Sequence, residues 1–269
     1  MKKSNRSAKL IILVLTAFLI ALALPVSAFA AKKEKKIKTE KTYVNGKLVR
    51  SSSFSYNKNG LETKASYYYK DDDGKETKTN SKSTWTMWKG SKVPKKRVTK
   101  EGKGKFVWYF NKKGMVTKQD FKYEDGSREI ATLKYKGKTL KSLVWKDSKG
   151  NILSKSTFDK YGHTKTLTHY ENGKVDFSTT SVNTYKKGVL RKTVVTYHDG
   201  SVHTSLYDSK GEMTSYTAKN KDGYVYHTYT SKNTYSGKYL KKAVTTVTDG
   251  DQKYTQTTVY TYTSKKYPV

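Results

Sequence analysis

The residues that ask first for chemistry are the five histidines, His163, His169, His198, His203 and His227. His198 and His203 flank Asp199-Gly200, so a hairpin there sets two imidazoles near one carboxylate. That trio suits a metal ion or an acid–base pair. No histidine recurs at its equivalent fifty residues on, since His169 aligns with Lys219 and His198 with Thr248. Exposed turn-flanking histidines are the plainer account. Asp71-Asp72-Asp73-Gly74 clusters carboxylates before a glycine but lacks the alternating spacing and closing glutamate of a calcium loop. It reads as a solvated turn. No phosphate loop or nucleophile elbow is present. The chain has no cysteine, which excludes a thiol nucleophile, a disulfide framework and a lipid-anchored cysteine. The expectation is a protein without catalytic residues, metal or cofactor.

Binding chemistry is better represented. Lys92, Lys95, Lys96, Arg97, Lys100, Lys103 and Lys105 crowd one stretch against only Glu101, with Trp85, Trp88 and Trp108 flanking it. Cations beside aromatic faces suit an acidic glycan, an anionic wall polymer or a single-stranded nucleic acid. Against this, Trp88 and Trp108 occupy repeat positions where Tyr or Phe recurs, so packing explains them too.

These side chains need elements to hold them. Lys2, Lys3, Arg6 and Lys9 precede an apolar run, Leu10 to Leu24, and then Ala28-Phe29-Ala30. This order predicts a secretory leader cut after Ala30. Its run is short for a membrane span, and no other stretch is a candidate. Losing those four cations lowers the formal charge from +33 to +29, a field that attracts polyanions whatever the fold. Residues 31–42 read as a basic N-terminal segment, Lys32 to Lys38 as its solvated, frayed start, and 43–269 as one β-hairpin repeat domain.

Glycines punctuate that domain at gaps mostly between 11 and 15 residues, usually in a polar turn after an aromatic, as in Tyr170-Glu171-Asn172-Gly173. Asn-Gly and Asp-Gly supply the positive φ of tight hairpins. Roughly eight residues remain per strand, about 26 Å. A longer period overlies this. Tyr135, Tyr185 and Tyr235 stand fifty apart, as do Leu140, Leu190 and Leu240, and Lys141, Arg191 and Lys241 keep the register. The repeat defines four units of four strands, about 56–109, 110–157, 158–206 and 207–256, with Tyr254 to Tyr262 closing the end. Alternate positions of each strand read as partly wet on both faces. The predicted fold is therefore an all-β antiparallel hairpin meander, curled or coiled into a spiral repeat array, with a four-bladed propeller as the alternative.

Once per unit the turn takes a longer form: Tyr56-Asn57-Lys58-Asn59-Gly60, Phe110-Asn111-Lys112-Lys113-Gly114, Phe158-Asp159-Lys160-Tyr161-Gly162 and Tyr207-Asp208-Ser209-Lys210-Gly211. This resembles the YD repeat of the Rhs family, over most of residues 56–250 at the level of turn spacing. The family's Arg-Leu after the glycine is replaced by Leu61, Met115, His163 and Glu212, and no toxin domain follows. The resemblance implies hairpin architecture and a role in surface binding or packaging, with no functional residue carried over.

Together these features predict a secreted, wall-associated, non-enzymatic protein whose basic Tyr-rich surface engages an anionic cell-envelope polymer or acidic glycan. The alternative is a structural or protein-interaction scaffold. Nucleic acid is disfavoured as a partner, and no transmembrane anchor is expected after cleavage.

Overall fold

The computed structural model describes residues 33–71 and 73–268; the predicted leader lies outside them. Two strands open the chain, β1 (Lys33–Val44) and β2 (Lys47–Tyr56). Four follow in the loose first unit: β3 (Glu62–Lys70), β4 (Glu76–Met87), β5 (Pro94–Glu101) and β6 (Gly104–Phe110). The second unit gives β7 (Val116–Lys122), β8 (Arg128–Lys136), β9 (Thr139–Asp147) and β10 (Ile152–Phe158). The third gives β11 (Thr164–Glu171), β12 (Lys174–Lys186), β13 (Val189–Tyr197) and β14 (Val202–Tyr207). The last gives β15 (Met213–Lys219), β16 (Val225–Ser236), β17 (Tyr239–Asp249) and β18 (Gln252–Pro268).

Each strand pairs antiparallel with the next, and β1 pairs with β18 from Lys33↔Pro268 to Val44↔Gln256. The meander thus closes into an 18-stranded barrel. This corrects the expected spiral array and the propeller, both of which leave strand edges unpaired; here each terminal strand supplies the other's missing ladder. It also corrects the frayed start, because Lys33–Val44 is the closing strand. Thr39 and Thr261 share a 2.7 Å hydroxyl bond across that seam.

The turns explain why these residues form hairpins. In the long connections the first residue's carboxylate or amide oxygen accepts two backbone N–H groups. Asn111 Oδ1 takes those of Lys113 and Met115 at 2.9 and 3.1 Å, and Asp208 Oδ1 takes those of Lys210 and Glu212 at 2.8 and 3.0 Å. This closes the turn locally. The aromatic before it sits at a register shift: Tyr56, Phe110, Phe158 and Tyr207 all mark one. Tyr135, Tyr185 and Tyr235 mark another in each unit. Such bulges bend the strand and deepen its twist, so the recurrent tyrosines coincide with the points that curl the sheet.

Alternation divides every strand between two faces. Phe121, Ala131, Leu133, Leu143, Ala218 and Val247 are buried on one face, with Ser52, Ser81, Ser83, Thr99, Thr179 and Thr258. This face is concave, because its side chains meet across an intervening strand: Phe121 of β7 lies 5.4 Å from Trp145 of β9, and Arg97 of β5 reaches Glu62 of β3. The described side-chain hydrogen bonds and ring contacts join strands at most two steps apart, and strand backbones approach only their ladder neighbours. The interior is lined rather than filled. Eighteen strands at roughly 4.8 Å spacing give a diameter of about 27 Å before tilt widens it.

Strand direction alternates, so the connections fall on two rims. Both ends of the described chain lie on one rim, with the connections after β2, β4, β6 and so on to β16. The connections after β1, β3, β5 and so on to β17 form the other.

Candidate functional site

The lumen has two unlike walls. Along β5 to β10 it is richest in large apolar and aromatic side chains, with Gln119, Ser154 and Ser156 buried among them. Val116, Ala131, Leu133 and Leu143 form a buried cluster, and Trp108, Phe110, Trp145 and Phe158 pack against it. Large apolar residues here displace water from one another and stiffen this arc. Along β11 to β3 tyrosine, histidine, serine and threonine predominate, with Phe54, Ala65, Ala218 and Val247 among them. A recess of about 360 Å³ opens in it between β16–β18 and β1–β3, lined by Glu40, Arg50, Tyr69, Tyr229, Gln256 and Tyr260. One molecule in the lumen can therefore meet an apolar arc on one side and hydroxyls, an acid and a guanidinium on the other.

His203 is central to the polar wall. Its Nδ1 lies 2.7 Å from the Tyr216 hydroxyl and its Nε2 lies 2.6 Å from the Tyr226 hydroxyl. Burial pushes its pKa below the ordinary histidine value, against the pull of Asp199 and with the help of His227. The lowered pKa favours the neutral ring, in which one phenol donates to it and the other accepts. The predicted His198–Asp199–His203 trio does not form. The Ser178 N–H points to His198 Nδ1 at 3.5 Å, and Asp199 Oδ1 accepts from Ser201 N–H and Oγ–H. Among the described residues no three acids or histidines cluster as metal ligands. Asp71 closes a turn by accepting the Lys75 N–H at 2.7 Å, as expected.

The basic–aromatic stretch is divided. Trp85, Arg97 and Trp108 converge on the lumen side: the guanidinium carbon lies 5.3 Å and 4.8 Å from the two rings, and Arg97 Nη2 meets Glu62 Oε1 at 2.5 Å. Trp85 Nε1–H donates to the Glu62 carbonyl at 2.7 Å. Arg97 is thus consumed by two rings, a carboxylate and Ser83. Trp88 lies in the β4–β5 connection on one rim, with Lys95 Nζ 5.1 Å from its ring. Lys96, Lys100 and Lys105 alternate to the outer face, where Lys100 pairs with Lys105 across the ladder. Lys92 and Lys103 fall in turns on opposite rims. One binding surface is not assembled from these residues.

Sequence reading missed a repeated lock beside the lumen. The Asp159 carboxylate accepts the Tyr185 hydroxyl and the Asn183 amide, the latter at 3.1 Å, while its other oxygen holds its own turn. Asp208 receives Tyr235 in the same way, with Asn233 nearby donating to the Met213 carbonyl at 3.3 Å. Burial raises both acids' pKa values, but the tyrosine hydroxyls and turn N–H groups outweigh it and hold them below the carboxylate norm. The near-equal spacing of Asp159 to Tyr185 and Asp208 to Tyr235 was the available signal.

The outer wall is hydrophilic. Lys82, Lys118, Lys155 and Lys192 stand near strand centres facing out, among Ser66, Thr180 and Thr230. A barrel wall in lipid carries an apolar band about 25 Å tall, and each lysine at the bilayer midplane costs about 2–4 kcal/mol. No such band is present on the described strands.

No family model matches the chain, and no curated protein matches it. Among solved structures it is similar to a porin-like protein from Bacteroides uniformis, with a TM-score of 0.52, 13% identity, and coverage of 84% of this chain and 96% of that one. The likeness is one of fold. It overturns the reading of an open basic β surface for an anionic polymer or glycan, and the Rhs-type scaffold with it: the supposed surface is the wall of a barrel, its residues split between faces and rims. Wall binding and the YD-repeat role are set aside accordingly. The expectation of no transmembrane anchor loses its ground: it rested on apolar runs, and while no described helix is long and apolar enough to cross a membrane, that says nothing of strands, which cross bilayers only as closed barrels.

Proposed function

We infer that the lumen is the working surface and that the barrel takes a small amphipathic molecule into it, within the cell envelope, without altering it chemically. The observation that carries this reading is the sidedness of the wall. Trp85, Trp108, Trp145, Phe121 and Leu143 face inward, whereas Lys82, Lys118, Lys155 and Lys192 face outward. A ligand with an apolar body and polar end groups would lay the body on the β5–β10 arc. Its polar groups would then meet Tyr229, Tyr260, Arg50 and Glu40 in the recess. Pockets of this mixed lining bind by apolar burial and are oriented by a few polar groups.

A second reading, a channel across an outer membrane, is favoured by the porin-like fold likeness. One experiment separates the two. A dansylated fatty acid is titrated against the chain without detergent, with energy transfer from the lumen tryptophans as readout, and bilayer conductance is recorded in parallel. Lumen binding predicts saturable transfer that Leu143→Phe diminishes by filling the apolar arc without adding a tryptophan donor, with no conductance. Conductance steps without saturable transfer would establish the channel and overturn the container.

A further inference from the structure

The two rims differ in charge. At the rim holding both chain ends, the connections carry Lys58, Lys89, Lys92, Lys113, Lys138 and Lys160, all exposed. The acids there are mostly engaged: Asp159 and Asp208 by Tyr185 and Tyr235, and Glu34 by Lys238. At the opposite rim the connections carry Asp73, Glu124, Asp125, Asp199, Asp222 and Asp251 against Lys75, Lys103, Lys149 and Lys221. The barrel is thus basic at one mouth and close to balanced, or acidic, at the other.

Topology adds an independent fact. β1 begins and β18 ends on the basic rim, so Lys35, Lys36, Lys265 and Lys266 of the two terminal strands add to its charge.

We propose that the basic rim seats on an anionic phospholipid bilayer, with the barrel standing on the surface and its lumen opening toward the headgroups. Lysines near such a surface are drawn to its phosphates, each adding several-fold to the partition, and the attraction is screened by salt. The hydrophilic outer wall stays in water, which avoids the cost of burying its lysines in lipid. The inference does not depend on the lumen holding a ligand.

The test is flotation of the full chain with vesicles of phosphatidylcholine alone and of phosphatidylcholine mixed with phosphatidylglycerol, across a salt series. Any contribution of the apolar run is common to every variant and to both vesicles. The expected result is a phosphatidylglycerol-dependent increment that disappears at high salt. Lys89→Glu, Lys113→Glu, Lys138→Glu and Lys160→Glu together should lower that increment by about a thousandfold. Lys75→Glu, Lys103→Glu, Lys149→Glu and Lys221→Glu together, an equal charge change on the other rim, should leave most of it. Circular dichroism and tryptophan emission verify that both variants are folded. Equal losses in the two variants, or no increment with phosphatidylglycerol, would overturn the proposal. So would salt-sensitive self-association without vesicles that the first variant abolishes, which would make a second copy the partner.

Discussion

Asp159 uses its two oxygens for two tasks: one closes its own turn and the other receives a tyrosine two strands away. The pairing ties a connection to the wall, and Asp208 with Tyr235 repeats it one unit later. Both carboxylates titrate below their ordinary value when folded, so the stability they supply is present above that value and is lost as pH falls through the folded one. Tyr185→Phe with Tyr235→Phe should cost about 1 kcal/mol per site, because a bond to a charged acceptor is lost from a partly exposed place. The acid-unfolding midpoint should move to higher pH; an unchanged acid limb would show that the locks do not operate. His203 works in the same direction. Its folded pKa is depressed by burial below the ordinary 6.5, so the unfolded chain binds the proton more readily and stability falls as pH drops below that value. His203→Gln should flatten this limb of the stability curve, measured by urea unfolding from neutral to mildly acidic pH.

At the scale of elements, the closing ladder between β1 and β18 decides whether there is a barrel at all. The turn at Gly60 abuts it: φ there is +74°, and a Cβ would lie 2.5 Å from Tyr267 Cβ. Gly60→Ala should therefore both strain the turn and press on the seam, costing about 2 kcal/mol. Amide exchange should speed selectively in Lys33–Val44, and Tyr267→Gly, which removes the Cβ that the new side chain meets, should restore part of the protection. Uniform exchange across all strands would contradict a local seam. The hairpins and fifty-residue units were legible because turn chemistry is local: Asn-Gly, Asp-Gly and the recurrent tyrosines announce themselves. Closure was not. It joins residues more than two hundred apart through backbone pairing that leaves no mark in either segment, and the charge of Lys35, Lys36 and Lys38 concealed a strand.

For the whole molecule, the faces were misread for a physical reason. The lumen lining is rich in small polar residues such as Ser52, Ser81, Ser83 and Thr179, which are buried yet do not score as core. A barrel lined rather than filled does not need an apolar inner face, so both faces of each strand looked wet. The basic–aromatic stretch was misplaced by the same oversight. Positions 85, 97 and 108 share one face and positions 96, 100 and 105 the other, a separation that strand alternation and register impose. Arg97 then serves the wall: Arg97→Met should cost about 3 kcal/mol by leaving Glu62 partly buried without its cation, read as a lowered thermal midpoint.

The most direct test of this sidedness uses the absence of native cysteine. Single cysteines are placed at neighbouring positions of β10, Lys155→Cys and Ser156→Cys, and their rates with a bulky, charged maleimide are compared with and without phospholipid vesicles. The sidedness described here predicts fast labelling at 155, unchanged by lipid, and slow labelling at the buried, lumen-facing 156. Protection of 155 by lipid, or fast labelling at 156 with 155 shielded, would place the lysine face against a bilayer or a partner and contradict a barrel whose wall stands in water.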